Sequence, residues 1–478
     1  MSILDEKIKE IFPNESVYKD DKVRAIFSGW NIPSFIKDWL INKYTDYETG
    51  EIDSEGIVKF LESYMPSKSL KGELVNNPYC SFKVLARIIT EPDVKQGIIR
   101  FSIPDLGIKP DEGIVSKILL SKEVGKVLSM GEHWGVCELV YIKEENKPGY
   151  IELADFKPFK PYEIDLDYYI HARKEFTTFE WIDLLVRSME FNPDGLSLDE
   201  KLTLLCRLLV FVEPNLNLIE LAPKGTGKSY VFSNLSKYGW IMSGGYVSRA
   251  KLFYDLNKKM EGLVSRYDFI VLDEVQTVKF SDENEIRGVL KSYLENGTFN
   301  VGNFRGVAEA GFVILGNIPL TDERKPRSHI YFEELPHVFH ESALIDRFHG
   351  FIEGWKLPRF NEDLKVKGYA LNVEYFSDIL HHLRTVGEYA AFVEDILKLP
   401  PKADTRDKKA IVKLTTALVK LLFPDAYINI PKFEEVEKFC LDIAKHLRKI
   451  IKEQLNLMDP EYSKDIPQFE IRKPKQTK

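Results

Sequence analysis

Cysteine is scarce in this chain, with four among 478 residues: Cys80, Cys137, Cys206 and Cys440. They form no CxxC pair, and no histidine stands at zinc-ligand spacing beside them. That excludes a disulfide scaffold and a zinc module, and buried thiols are expected. Long apolar runs are missing too. The longest, residues 204–212, is broken by Arg207 and falls short of the ~20 residues a membrane-spanning helix requires. The amino terminus puts Asp5, Glu6 and Lys7 where a signal peptide has its apolar stretch, so a cytoplasmic protein is expected, with no membrane partner. Strong charge of one sign is also absent: 66 Lys and Arg against 74 Asp and Glu give a net charge of −8. Any DNA contact must then come from locally gathered basic groups. There is no internal repeat or low-complexity tract. What is present is ordinary globular composition, 44% hydrophobic, at a length that suits roughly two to four domains.

Behind Pro33, the residues Phe35, Ile36, Trp39 and Leu40 recur at helical spacing. After Asn77 the chain turns to short β-branched and aromatic runs (81–89, 98–103, 134–142, 150–153), punctuated by turns at 91–93, 96–97 and 147–149. Residues 1–155 therefore read as a mixed helical and β-rich N-terminal domain, with a barrel as one form for its strands, serving DNA binding or oligomerisation. Pro158 and Pro161 mark a connector within a 156–175 linker. Thr177 and Glu180 have capping-box spacing ahead of Trp181, Leu184, Leu185 and Ser188. Over 176–356, three apolar runs (216–221, 269–272, 312–315) alternate with helical stretches, the pattern of an α/β fold with a parallel sheet. Residues 357–460 are helical only: Phe376, Ile379, Leu380 and Leu383 share a face, as do Ile411, Leu414, Leu418 and Leu421, and a last helix covers 433–455. Residues 461–478 end in a basic tail.

The chemistry is carried first by residues 217–229, NLIELAPKGTGKS, an apolar strand leading through a glycine loop into a helix. This is a phosphate-binding loop: Pro223, Lys224, Gly225, Thr226, Gly227, Lys228, Ser229 and Tyr230 form the nucleotide cradle. The glycines let backbone N–H groups face phosphate, Lys228 neutralises it and Ser229 reaches Mg2+. Ala222 stands where the pattern has glycine, and its small methyl is tolerated. Forty-five positions after Lys228, the run FIVLDE ends in Asp273 and Glu274. Asp273 is assigned to Mg2+ and Glu274 to the attacking water, the group that separates a hydrolase from a mere binder. A third run, FVILGN, ends in Asn317, whose amide suits the γ-phosphate or the lytic water. In LIDRF, Arg347 suits a charge donated to a neighbouring subunit's γ-phosphate, with an internal salt bridge as its plainer role.

In this order and spacing the motifs resemble those of AAA+ ATPases, which implies an AAA+ P-loop core with a helical lid. Residues 176–182 (FTTFEWI), 213–229, 243–246 (SGGY) and 314–318 (ILGNI) resemble more closely the BrxL family, Lon-protease-like AAA+ proteins of bacteriophage exclusion (BREX) systems. The likeness runs from about residue 30 to 455. It implies an ATP- and Mg2+-dependent homo-hexamer or double hexamer, similar to minichromosome-maintenance helicases, that encloses double-stranded DNA in phage defence alongside other BREX proteins. Longer members append a Lon-like domain after the lid, whereas 23 residues follow Leu455 here, so no peptidase activity is expected.

For DNA, the helicase resemblance points to a hairpin at 298–306, with Gly302 and Gly306 for the turn and Arg305 as the basic group; Arg249 and Lys251 are a second candidate pair. Arg406 is the candidate sensor-two arginine. His337, His340, His349, His381 and His382 lack a third ligand at metal spacing and read as structural. A protein-remodelling ATPase stays open as the alternative, because Phe304 beside Arg305 could serve as a pore aromatic.

Overall fold

The computed structural model describes residues 2–30, 32–46, 51–67, 69–122, 124–129, 131–143, 148–158, 164–257, 259–401 and 403–472. Lys147 of one expected turn, residues 159–163 of the expected linker and the basic tail from residue 473 lie outside the described residues.

Two compact units divide the chain: Met1–Arg24 with Trp30–Trp39 and Tyr162–Lys478, and Ala25–Gly29 with Leu40–Pro161. The division differs from a boundary at residue 155, because the first segments belong to the larger unit. Strand Ser16–Lys19 pairs antiparallel with Gly368–Leu371. Asp5, in helix Ile3–Ile11, accepts from Arg187 at 2.7 Å and from the Tyr369 N–H at 2.9 Å. No local pattern advertises partners so distant.

In the smaller unit, strands Ser81–Asp93, Ile98–Ile103, Ile108–Val115, Gly131–Ile142 and Tyr150–Pro158 close into a barrel in the order first, second, third, fifth, fourth. Alternating Val84, Ala86 and Ile88 join its buried core with Phe101, Leu139 and Leu153. The third strand was not expected, and it contains Pro110, Asp111 and Gly113, residue types that favour turns over strands. Gly113 is required there: a Cβ would stand 2.2 Å from the Phe101 carbonyl oxygen. Cys137 is buried as expected, but Cys80, just ahead of the first strand, is exposed.

The larger unit holds five parallel strands in the order Gly350–Glu353, Asn217–Ala222, Gly311–Asn317, Phe269–Phe280, Gly239–Val247. The three expected apolar runs are the three central strands. Covered on both faces, they read as continuous apolar sequence rather than alternation. The outer strands were not legible: one contains Ser243-Gly244-Gly245 and the other has four residues. Because the strands run parallel, Ala222, Asp273 and Asn317 all emerge at one edge.

The Thr177–Glu180 capping box forms, and Trp181, Leu184, Leu185 and Ser188 are buried behind it. Helices Val373–Leu383, Glu388–Ile396, Thr405–Leu422 and Asp442–Met458 follow, with the expected apolar faces buried. The last expected helix runs without interruption from Phe433–Val436 through a π-helical segment at Glu437–Leu441 into Asp442–Met458. Residues 357–460 also hold two short strands, Gly368–Leu371 and Leu397–Lys398. No helix among the described residues is long and apolar enough to cross a membrane.

Burial of Glu374 in helix Val373–Leu383 pushes its carboxyl up to about 7, with Lys237 at 3.7 Å opposing the rise. The folded state therefore holds this proton more tightly than the unfolded chain. The stability it contributes is full below the ordinary value of 4.5 and lost as pH rises through about 7. Glu374→Gln is accordingly expected to raise the thermal midpoint at pH 8 and leave it nearly unchanged at pH 5, as read by parallel melts.

Candidate nucleotide-hydrolysis site

The loop after strand Asn217–Ala222 feeds helix Lys228–Asn234. Gly225 and Gly227 take φ values of +84° and +74°, where a side chain would be strained, and nothing lies within 4 Å of a Cβ built on Gly225. The cradle is thus open toward a ligand. Ala222 is accommodated because Gly354 faces it; a Cβ there would stand 2.5 Å from the alanine methyl. The loop is anchored by Arg207, whose guanidinium donates to the Thr226 carbonyl at 3.0 Å and pairs with Glu220 at 2.6 Å, both side chains being fully buried. The Phe360 N–H holds the Gly225 carbonyl at 2.7 Å.

Four expected residues meet at this edge. Lys228 Nζ donates to Asn317 Oδ1 at 3.0 Å. Burial lowers the lysine's pKa, while Glu220, Asp273 and Glu274 oppose that shift. Asp273 is buried, and its Oδ1 accepts the Glu274 N–H at 2.8 Å. Glu274 itself adopts φ +47°, a strained backbone for a non-glycine residue, and its side chain is exposed. It begins a bulge in the pairing with the outer strand, which breaks after Asp273 and resumes at Val278. Inside the bulge, Gln276 clamps Asn317 from both sides: its Nε2 donates to the Asn317 carbonyl at 2.7 Å, and its Oε1 accepts the Asn317 N–H at 3.3 Å. The sequence reading missed Gln276, although it lies two positions past Glu274. A cleft of about 990 Å³ opens here, lined among others by Pro223, Lys224, Glu274, Gln276 and Asn317. The exposed Ser229 and the Asp273 carboxylate supply the hard oxygen donors that suit Mg2+. Tyr230, expected in the cradle, spends its hydroxyl on Glu190 and Ser34 instead.

Arg347 lies elsewhere. It pairs with Glu295 at 3.3 Å, and two residues on, the His349 N–H donates to the carbonyl of Asn217, the first residue of the phosphate-loop strand. That is the opposite edge of the sheet, a six-residue strand or roughly 20 Å from the loop. Arg406 reaches the same Glu295 at 3.2 Å and Asp346 at 2.8 Å. The sensor-two candidate therefore does not face its own phosphate loop, and instead stands beside Arg347. Buried Arg448 takes the other Asp346 oxygen at 2.7 Å.

A family model described as "Lon-like protease BrxL-like, ATPase domain" matches residues 151–468, and one described as "BREX system Lon protease-like protein BrxL N-terminal" matches 10–141. The chain belongs to the BrxL family. It is 28% identical to Lon-like protease BrxL of Escherichia coli O9:H4 (strain HS) over 458 residues, 95% of this chain and 64% of that protein. Lon-like protease BrxL of Bacillus cereus (strain H3081.97) is 28% identical over 463 residues, with 95% and 67% covered. Uncharacterized protein ORF426 of Acidianus filamentous virus 1 is 24% identical over 322 residues, with 60% and 73% covered.

The basic candidates of this BrxL-family chain fall on neighbouring elements. Strands Thr298–Val301 and Phe304–Val307 form the expected hairpin, with Gly302 at φ +57° in its turn and exposed Arg305 opposite Asn300. Phe304 stacks on Tyr254 with ring centroids 3.8 Å apart. Tyr254 follows helix Arg249–Leu252, which carries Arg249, ion-paired with Glu285, and exposed Lys251. Two of the histidines are held by partners distant in sequence: His349 Nδ1 accepts the Asn217 N–H at 3.0 Å, and His381 bonds Asp268 at 2.6 Å.

Proposed function

We propose that the chain is a ring-forming AAA+ ATPase that binds double-stranded DNA, hydrolyses ATP with Mg2+, and acts in BREX-type phage defence. The observation that carries the reading is the 3.0 Å bond from Lys228 to Asn317, which joins the phosphate loop to the strand standing between it and Asp273–Glu274. In that arrangement Lys228 and the loop N–H groups hold the β- and γ-phosphates, and Ser229 and Asp273 are the residues that would hold Mg2+, which when bound would screen phosphate charge. Glu274 draws a proton from the attacking water, and Asn317 orients the γ-phosphate or that water. Arg347, on the far edge, serves a neighbouring protomer's phosphate in a homo-hexamer or double hexamer, and Arg406 beside it adds charge to that face. Arg305, Lys251 and Arg249 are the proposed DNA contacts. The BrxL-family matches support a place among BREX proteins. The 478 residues are proposed to act without peptidase activity. Remodelling of polypeptide is the weaker reading, since Phe304, the aromatic it needs free, is packed on Tyr254.

The test is steady-state ATP turnover with and without duplex DNA, over a range of protein concentrations, beside Lys228→Ala. The expected result is DNA-stimulated turnover that rises steeply with concentration and is absent from Lys228→Ala. Indifference to DNA together with stimulation by unfolded protein would transfer the assignment to remodelling.

A further inference from the structure

The cleft beyond Glu274 and Asn317 holds an arginine that no motif accounts for. Its lining includes Arg359 and Arg324 together with Lys224. These two arginines are used differently. Arg324, at φ +59°, donates to the carbonyls of Leu357 at 2.6 Å and Trp355 at 3.3 Å, so it is spent on holding the segment that leads to Arg359. Downstream, the Phe360 N–H is bonded to the Gly225 carbonyl, and the Phe360 ring packs edge-on against Phe191 at 5.2 Å. Arg359 is therefore fixed on both sides by backbone contacts, one of them to the phosphate loop itself. Its own side chain is exposed and, among the described residues, makes no hydrogen bond or ion pair. An uncommitted guanidinium on a tethered segment, in the cleft that Lys224, Glu274 and Asn317 also line, is the arrangement that receives a phosphate's charge.

We propose that Arg359 binds the terminal phosphate of the nucleotide held by its own protomer, and that Arg324 positions the segment that delivers it. This rests on the ATPase reading above and deepens it. Arg406 lies at the other edge of the sheet, so Arg359 is the arginine that can distinguish triphosphate from diphosphate within one chain. A bidentate guanidinium strengthens as negative charge gathers on the γ-phosphate oxygens during transfer, so both triphosphate affinity and turnover depend on it.

The experiment measures binding of ADP and of a non-hydrolysable ATP analogue, with kcat and KM for ATP, in wild type, Arg359→Ala, Arg359→Lys and Lys228→Ala. Arg359 is exposed, so Arg359→Ala is expected to fold normally, as a thermal melt checks. It should bind ADP as wild type does, bind the triphosphate analogue about tenfold or more weakly, and turn over about a hundredfold or more slowly. Arg359→Lys should recover part of both. Mixing inactive variants separates own-chain from neighbour action. Arg347→Ala is expected to regain activity when mixed with Lys228→Ala, because each supplies what the other's site lacks. Arg359→Ala is not expected to regain it. An unchanged analogue-to-ADP affinity ratio with wild-type turnover overturns the proposal, and complementation of Arg359→Ala overturns its own-chain placement. Failure of wild type to hydrolyse ATP, or full activity in Lys228→Ala, sinks the ATPase reading itself.

Discussion

Glu274→Gln is expected to lower ATP turnover by roughly 10²–10⁴-fold, the usual share of a positioned general base, while ATP affinity stays near wild type. The split follows from the geometry. Lys228, Asn317 and the loop N–H groups, proposed above as the phosphate-facing groups, are untouched by the substitution. The glutamine keeps the length and shape of the exposed side chain but takes no proton from water. At φ +47° a glutamine meets the same backbone demand as the glutamate, so the change tests chemistry rather than fold. That strained conformation sits at the one place where the strand must stop pairing with its outer neighbour and turn a carboxylate into the cleft, which is where strain is retained for function. Single-turnover hydrolysis and a separate nucleotide-binding titration read the two effects. Wild-type turnover in Glu274→Gln would mean that the water is activated by another group.

The second large effect is on stability. Arg207 and Glu220 form an ion pair with both side chains at 0% exposure. Removing one partner strands the other charge without solvent, a change that costs about 3–5 kcal/mol. Glu220→Ala is expected to lower the thermal midpoint by roughly 5–15 °C, far more than loss of an exposed pair such as Lys325–Glu323. The double change Arg207→Met, Glu220→Leu should restore most of the midpoint, because apolar residues of similar volume carry no desolvation cost. It should still weaken ATP binding, since the bond from Arg207 to the Thr226 carbonyl is gone. A double variant with both stability and affinity of wild type would show that the loop needs no anchor from below.

The site was legible wherever a chemical group ends an apolar run. Lys228, Asp273, Glu274 and Asn317 each follow a buried strand or its loop, and parallel strands bring their ends to one edge. Gln276 was not, because its value lies in a bulge that clamps a backbone 41 positions away. Arg207 read as an interruption in an apolar run; its partner on a neighbouring strand explains why a charge stands there. The surroundings of Arg406 were not legible either, because its partners Glu295 and Asp346 lie 111 and 60 positions away. In the barrel, four strands announced themselves by β-branched runs, while the third is made of residues that ordinarily turn. The paired strands Ser16–Lys19 and Gly368–Leu371 are four residues each, too short for alternation to show.

That last pairing bears on how the molecule is made. The larger unit begins with the chain's first helix but is not complete until the strand at Gly368–Leu371 exists, whereas every strand of the barrel has been synthesised by Pro158. At ribosomal rates of roughly 5–20 residues per second, Ser16–Lys19 waits about 20–70 s for its partner. Throughout that interval the barrel, though later in sequence, is the first part able to close, and the opening segment must remain soluble without the strand that will cover it.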